Sequence, residues 1–192
     1  GPTETLSAIA SGTYDARLRA SAAVAAEFGK PMLVGFAHEF NGSYMPYYGD
    51  PQAYIAAFRH VHDLFVKQGA TNVQWVWPPN YASDRPKDPN SDYHLYYPGD
   101  AYVDWIAVFG YNWGTTDNIG PEIWVGFDYL FDTFLRDTAC RYPKPQLVHT
   151  ASIDGAGGSK AAWITNTYAM LKDYPSLRSI VWFNDYAYGS QN

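Results

Sequence analysis

The feature that most limits what this chain can fold into is a regular alternation of short apolar runs with longer amphipathic segments. Five short runs, rich in β-branched and aromatic residues, have the length and composition of strands: 32–36, 72–77, 102–109, 146–151 and 179–183. Four segments with helical patterns lie before and between them, at 13–27, 50–69, 127–136 and 160–171. Strand–helix alternation of this kind predicts βαβ units, a parallel sheet and right-handed crossovers.

Polar or aromatic side chains follow each predicted strand at the point where it ends. The five ends carry, in chain order, His38 and Glu39, Trp77 and Asn80, Tyr111 and Trp113, His149 and Thr150, and Trp182 and Asn184. A doubly wound sheet concentrates its ligand site at one switch point, whereas a closed barrel draws site residues from many strand ends. The repeated pattern therefore favours an α/β fold of TIM-barrel type.

The first run, 32–36, has the character of a buried strand, and the chemistry changes abruptly after it. Glu39 lies between His38 and Asn41, and aromatic residues follow. A carboxylate in such a setting is typical of a proton-handling site for a sugar. For an isolated Glu, helix capping or a hydrogen-bonded place in the core is the alternative, and the other strand ends favour the site.

Composition excludes several classes of function. A net charge of −6 offers no basic stripe for nucleic acid. No run approaches the roughly 20 apolar residues of a membrane span, no spacing of His, Cys and acidic residues predicts a metal site, and we expect no cofactor. The aromatic fraction of 18% suits carbohydrate binding as well as a heavy core. The length predicts one domain over residues 1–192.

Seven motifs occur in the order in which they occur in glycoside hydrolase family 26, and the chain resembles that family. They are FAHEFNG (36–42), ATNVQWVWPPN (70–80), YYPGDAYVDW (96–105), GYNWG (110–114), KPQLVHTAS (144–152), SKAAWI (159–164) and VWFN (181–184). The resemblance implies a (β/α)8 barrel that acts on a β-linked polysaccharide of the mannan or β-glucan type. It also implies a secreted or extracellular protein, although the first thirty residues contain no signal peptide.

The resemblance assigns roles to individual residues. Glu39 matches the general acid/base, and its neighbours His38 and Asn41 match residues that hold the sugar and orient that carboxylate. Tyr44 stands where the family places an aromatic subsite residue, usually Trp. Tyr111 matches the Tyr that contacts the nucleophile, and Trp182 matches the stacking platform under the cleaved sugar. Apart from the resemblance, we expect the aromatic residues Trp77 and Trp113 to line a sugar cleft.

The sequence departs from the family at the nucleophile. A retaining glycosidase needs a second carboxylate about 5–5.5 Å from the first. The position that the family fills with Glu is His149 or Thr150 here, and the Thr-Ala-Ser that follows favours His149. Gly35 and Phe109 stand where the family has Arg and Asp.

Two hypotheses follow from these departures. The first is an endo-β-glycanase with a replacement for the missing carboxylate, either Asp154 or Asp185, or with His149 as the base of an inverting mechanism. The second is a catalytically silent glycan-binding protein.

The five strands correspond to the fourth through eighth of the family barrel. The first three strands are therefore missing from this chain. We expect another chain or an N-terminal segment to complete the barrel, unless the ends close in a reduced one.

Overall fold

The computed structural model describes residues 2–82, 85–115, 123–152 and 157–183, with side chains from residue 5 onward. The chain divides into two compact units, residues 1–106 and 107–192, and the division falls inside a strand. The prediction of a single domain over 1–192 stays a prediction.

Helices and strands alternate as the sequence predicts. The elements are α1 (Pro2–Ala10), α2 (Asp15–Phe28), β1 (Met32–Gly35), α3 (Pro51–Lys67), β2 (Val73–Trp77), β3 (Trp105–Asn112), α4 (Phe127–Arg141), β4 (Gln146–Ser152), α5 (Lys160–Met170) and β5 (Leu177–Trp182). Short 3₁₀ turns lie at Pro89–Ser91, Tyr93–Tyr96 and Leu171–Asp173. Helix α1 was not predicted.

Strand β3 begins three residues later than predicted, at Trp105 rather than at 102. The reason lies in Asp104, whose carboxylate accepts the N–H of Trp75 at 2.7 Å, while its own N–H donates to the Trp75 carbonyl at 2.9 Å. The Asp104 carboxylate thus takes the place of a backbone carbonyl as the partner of the Trp75 N–H. Regular pairing of β2 with β3 starts only after Asp104.

In the first unit, α3 covers β2 with a wide apolar face. Asp50 caps the helix by accepting the N–H of Ala53 at 2.9 Å, and Pro51 fills its first position. The buried face is Tyr54, Ala57, Phe58, Val61, Leu64 and Phe65, and the rings of Phe58 and Phe65 lie 5.9 and 5.2 Å from that of Trp75. This packing places the Trp75 face of β2 against α3, so the opposite face of the strand points away from the helix.

Strand β1 corrects one expectation. It was predicted to be buried, but its residues alternate between half-buried and exposed, and Leu33 is 43% exposed. Met32 to Gly35 pair in parallel with Val73 to Val76, so Leu33 and Gly35 share a face with the exposed Gln74. One face of β1 therefore packs on the protein core while the other does not.

In the second unit, a buried polar side chain ties β4 to α4. Gln146 donates to the carbonyl of Leu135 and to the hydroxyl of Thr138, both at 2.8 Å, so the amide is satisfied where it is buried. On α5, Trp163 and Thr167 are buried, whereas Tyr168 is 54% exposed.

Parallel pairing joins β1 to β2, β2 to β3 and β4 to β5. In each unit the strands lie in chain order, β1-β2-β3 in the first and β3-β4-β5 in the second. Barrel repeats have this order, whereas a doubly wound sheet reverses it at a switch point. Within the described ranges, no helix is long and apolar enough to span a bilayer.

Candidate active site

The backbone that follows β1 is held in an unusual conformation. Ala37 and Glu39 have φ angles of 49° and 53°, in the left-handed region that side chains other than glycine seldom adopt. Two hydrogen bonds fix the turn: the N–H of Glu39 donates to the Pro78 carbonyl at 2.7 Å, and the N–H of Gly42 donates to the Glu39 carbonyl at 2.8 Å. Such conformations persist where the surroundings over-determine them, often at functional sites.

The Glu39 carboxylate is half-buried and receives a donor on each oxygen. The Asn80 amide donates to Oε1 at 3.1 Å, and the Tyr44 hydroxyl donates to Oε2 at 3.1 Å. The same Asn80 amide also donates to the Tyr44 hydroxyl at 2.8 Å. The three groups therefore form a closed ring of hydrogen bonds around a single carboxylate, and we call this ring the Glu39 clamp.

Asn80 lies at a predicted strand end but was not among the predicted site residues. Its signal was the Pro-Pro-Asn that closes the second apolar run, the same kind of boundary at which Glu39 was found.

Asn41 lies behind the clamp. Its side chain has no exposed surface, accepts the Asn80 N–H at 2.8 Å and donates to the Asn80 carbonyl at 3.3 Å. A fully buried amide has no surface to offer a sugar, so the prediction of a direct sugar contact does not fit. Asn41 fixes the backbone of Asn80, which in turn bonds Glu39, and its predicted orienting role stays a prediction.

Tyr44 reaches Glu39 because residue 42 is glycine. A Cβ added at Gly42 would lie 2.5 Å from Cζ and 2.8 Å from the hydroxyl oxygen of Tyr44. The ring therefore folds directly over the backbone, yet 57% of the residue stays exposed. An exposed ring next to a carboxylate is suited to packing against a sugar face.

Tyr47 reports the charge of this site. Its hydroxyl donates to the His38 carbonyl at 2.5 Å. Burial, together with the nearby Glu39 carboxylate, raises the pKa of Tyr47 to about 12. His38 itself is exposed, so its ring lies on the solvent side of the turn that carries Glu39.

Trp77 is a core residue. It has no exposed surface, donates from Nε1 to the Tyr96 carbonyl at 3.3 Å, and lies 5.5 Å from the ring of Phe40. The prediction that it lines a sugar cleft does not fit this burial. The adjacent residue, Val76, faces the other side of β2.

In the second unit, His149 meets Tyr111. The Tyr111 hydroxyl lies 2.9 Å from Nδ1 of His149, and the rings of Phe109 and Phe183 lie 5.0 and 5.9 Å from the imidazole. Trp113 is half-buried and lies 5.1 Å from the Tyr111 ring, tilted by 37°. The rings of Phe109, Tyr111 and Phe183 therefore surround the His149 imidazole.

Thr150 and Trp182 face the other side of the sheet. Thr150 is fully buried and opposite Trp182 in the β4–β5 register. Trp182 donates from Nε1 to the Tyr168 hydroxyl at 3.1 Å and packs on Trp163 at 5.9 Å. Of the two residues considered for the nucleophile position, His149 is thus the one that shares a face with Tyr111. Phe183, the residue after Trp182, has its ring 6.0 Å from that of Tyr111, and the Trp182 platform stays a prediction.

Two predicted candidates, Asp154 and Asp185, lie outside the described residues. Among those that are described, no group of three His, Cys, Asp or Glu residues could hold a metal ion.

No protein-family model matches the chain, but a curated protein and solved structures are similar to it. The chain is 36% identical over 185 residues to endoglucanase H of Acetivibrio thermocellus. The aligned region covers 92% of this chain and 20% of that protein. A modular endo-β-1,4-mannanase of family 26 from Cellulomonas fimi matches with a TM-score of 0.67 and 25% identity over 94% of this chain and 43% of that one. The resemblance to glycoside hydrolase family 26 is confirmed.

A family 26 β-mannanase from Bacteroides ovatus shares the fold, with a TM-score of 0.58 and 19% identity over 81% of this chain and 43% of that one. The chain thus spans less than half the length of these solved structures and a fifth of the curated relative. The predicted fold class, TIM-barrel-like β/α repeats, is confirmed by the neighbours and by the parallel strands.

Proposed function

We propose that this family 26-like chain acts on a β-linked polysaccharide of the mannan or β-glucan type, with Glu39 as its general acid/base. The observation that carries the proposal is the Glu39 clamp: a half-buried carboxylate at the end of β1 with a hydrogen-bond donor on each oxygen. The similarity to an endoglucanase and to β-mannanases supports the substrate class.

The chemistry assigned to Glu39 is proton transfer to and from the glycosidic oxygen. In both retaining and inverting glycosidases, one carboxyl group protonates the leaving-group oxygen as the bond to the anomeric carbon breaks. Positioned proton transfer of this kind contributes about 10²–10⁴-fold to a rate. The exposed Tyr44 ring beside Glu39 would pack on a sugar, and the exposed His38 would bind a sugar hydroxyl.

His149 takes the place of the attacking carboxylate in this proposal. An imidazole gives no stable glycosyl ester, but it can accept a proton from a water molecule near neutral pH. Tyr111 would orient it through the hydrogen bond to Nδ1. Hydrolysis would then proceed with a single displacement by water rather than through a covalent intermediate.

A catalytically silent glycan-binding protein is the second candidate, and the ring packing around His149 favours it. Phe109 and Phe183 make an aromatic setting that suits binding of a sugar face more than attack on it. In either form, the polysaccharide partner makes a secreted or extracellular location part of the proposal. We also propose that another segment or chain completes the barrel, since the chain spans under half of the solved structures.

Release of reducing sugar from mannan, mixed-linkage glucan and xylan tests the proposal. We expect release from one of the first two substrates by the wild-type chain and none by Glu39→Gln, with Glu27→Gln, an exposed residue at the end of α2, as the matched control. Absence of release, together with calorimetric binding of an oligosaccharide, would leave the silent binder. Release by Glu39→Gln at the wild-type rate would refute the role of Glu39.

A further inference from the structure

The two hydrogen-bond donors of the Glu39 clamp differ in kind. The Asn80 amide nitrogen carries two N–H donors and cannot accept a hydrogen bond, whereas the Tyr44 hydroxyl can both donate and accept. The first faces Oε1 of Glu39 and the second faces Oε2. The two carboxylate oxygens are therefore not equivalent toward a proton.

The direction of the Asn80 amide is fixed by the backbone next to it. Its Oδ1 accepts the N–H of Ala82 at 3.0 Å, so its nitrogen must point to the opposite side, toward Glu39 and Tyr44. Its backbone is fixed in turn by the buried Asn41, which bonds both its N–H and its carbonyl. Turning the amide over would place two oxygens against each other at Glu39 and an N–H against the N–H of Ala82.

A protonated carboxyl has one O–H donor. On Oε1 that proton would meet the N–H groups of Asn80, whereas on Oε2 it would meet the Tyr44 oxygen, which has lone pairs to accept it. We infer that the Glu39 proton resides on Oε2 and that Asn80 is the positioning residue that keeps it off Oε1. The inference rests on the proposed acid/base function of Glu39 and adds the atom that performs it.

The proton transfer that follows is balanced within the site. The proton leaves Oε2 for the glycosidic oxygen, and the electron pair of the breaking C–O bond stays on that oxygen. The Tyr44 hydroxyl then turns to donate to the ionised Oε2, which is the arrangement that this structure shows. The Asn80 amide stays on Oε1 in both states, so one oxygen remains a fixed anchor while the other exchanges the proton.

Two variants of the clamp and two matched controls test this inference in the full chain. Asn80→Asp keeps the acceptor for Ala82 but replaces the donor to Oε1 by an oxygen, and Tyr44→Phe removes the hydroxyl but keeps the ring. Asn72→Asp removes a side-chain donor to two backbone carbonyls away from the site, and Tyr97→Phe removes another tyrosine-to-carboxylate bond, to Asp100. The control variants therefore remove hydrogen bonds of a similar kind at positions that do not contact Glu39.

The readout is the infrared C=O stretching band of the protonated Glu39 carboxyl, assigned by its absence in Glu39→Gln and followed against pH. With the proton on Oε2 the C=O oxygen is Oε1, which accepts from Asn80, whereas with the proton on Oε1 it is Oε2, which accepts from Tyr44. Because a hydrogen bond to the C=O oxygen lowers the frequency of the band, we expect a clear shift in Asn80→Asp and a smaller one in Tyr44→Phe. Asn72→Asp and Tyr97→Phe should keep the wild-type frequency. A shift in Tyr44→Phe with none in Asn80→Asp would overturn the inference, whether or not the chain hydrolyses a glycan.

Neutron diffraction on deuterated crystals at a pH below the measured midpoint tests which oxygen carries the proton. We expect the deuteron on Oε2, within hydrogen-bond distance of the Tyr44 oxygen. A deuteron on Oε1 would overturn the inference. Because neither measurement needs turnover, a chain that releases no sugar but shows these results would refute hydrolysis while supporting the clamp.

Discussion

The ends of β1 and β4 carry two very different settings. After β1, Glu39 sits in a polar clamp built from a buried amide, a second amide and a hydroxyl. On β4, His149 is surrounded by aromatic rings and bonded to one phenol. The first setting holds a charge with hydrogen bonds at every oxygen, and the second presents a ring-lined surface with an imidazole in it.

This difference indicates which part of a glycosidase chemistry each region can support. Hydrogen bonds on both oxygens position a carboxylate for proton transfer. An imidazole among rings is suited to binding a sugar or to accepting a proton, but not to forming a glycosyl ester. In the proposed function, Glu39 therefore serves as the general acid/base, and His149 stands at the position that the resemblance assigns to the nucleophile.

The largest expected effect separates the two regions by their contribution to rate. We expect Glu39→Gln to lower glycan hydrolysis by about 10²–10⁴-fold, since an amide cannot deliver a proton. For His149→Ala we expect a loss of about tenfold or less if His149 mainly binds sugar, and a loss as large as that of Glu39→Gln if it is the base. Initial rates of reducing-sugar release at saturating substrate distinguish the two outcomes.

A change in the backbone under Tyr44 tests whether the clamp depends on close approach. In Gly42→Ala the added methyl overlaps the Tyr44 ring. Because that ring is the exposed end of a flexible side chain, we expect it to swing aside, which leaves the free energy of unfolding almost unchanged but lowers the rate. Gly35→Ala is the matched control, because its Cβ would lie 3.6 Å from the nearest atom, an ordinary contact. Urea unfolding and rate measurements check both. Equal behaviour of the two variants would show that the clamp tolerates a displaced Tyr44.

Two neighbouring aromatic residues sharpen the account of the second region. We expect Phe183→Ala to weaken oligosaccharide binding by roughly tenfold, the loss of a stacking surface worth about 1.4 kcal/mol, with little change in stability. Trp182→Ala should do the reverse, since its ring packs on Trp163 and Tyr168. Isothermal calorimetry and thermal unfolding of both variants check the assignment. Weaker binding in Trp182→Ala alone would support the predicted Trp182 platform.

The smallest effect that we expect is a loss of stability at alkaline pH. Burial raises the pKa of Tyr47 to about 12, with a further contribution from the Glu39 charge, and burial with a hydrogen bond to Asp132 raises that of Tyr174 to about 12. Because both pKa values lie above the unfolded value of 10.0, the resulting stability is complete below pH 10 and is lost as pH rises toward 12. We expect this loss to be smaller in Tyr47→Phe than in the wild type.

Glu39→Gln refines the same measurement. Since burial is the larger cause, removing the Glu39 charge should lower the pKa of Tyr47 only slightly and should not change that of Tyr174. Ultraviolet titration of tyrosinate, with the exposed Tyr14 replaced by Phe as the control, checks it. An equal fall in both pKa values would contradict the assigned cause.

The elements of the fold could be predicted because their signals are local. The Asp50-Pro51 start of α3 is a capping carboxylate followed by proline, and the structure shows that cap. The exposure of β1 could not be predicted in the same way, since an apolar run such as Met32 to Gly35 looks alike whether one or both faces are covered.

The candidate site was predictable as a set of strand ends but not as a set of contacts. From sequence alone, the aromatic residues Trp77 and Trp182 are equally suited to line a sugar cleft. Only the register and the packing show that Trp77 is a core residue and that Trp182 faces α5. Asn80 was missed because an amide after two prolines has the signature of a turn. Its function depends on Asn41, which is 39 residues away in sequence.

A crystal structure of the Glu39→Gln variant with a manno-oligosaccharide or a mixed-linkage gluco-oligosaccharide tests the central claim most directly. The account predicts a glycosidic oxygen within about 2.6–3.2 Å of the residue 39 side chain, with a sugar ring against Tyr44. A sugar bound elsewhere on the protein, with residue 39 still enclosed by Asn80 and Tyr44 and touching no ligand, would contradict it.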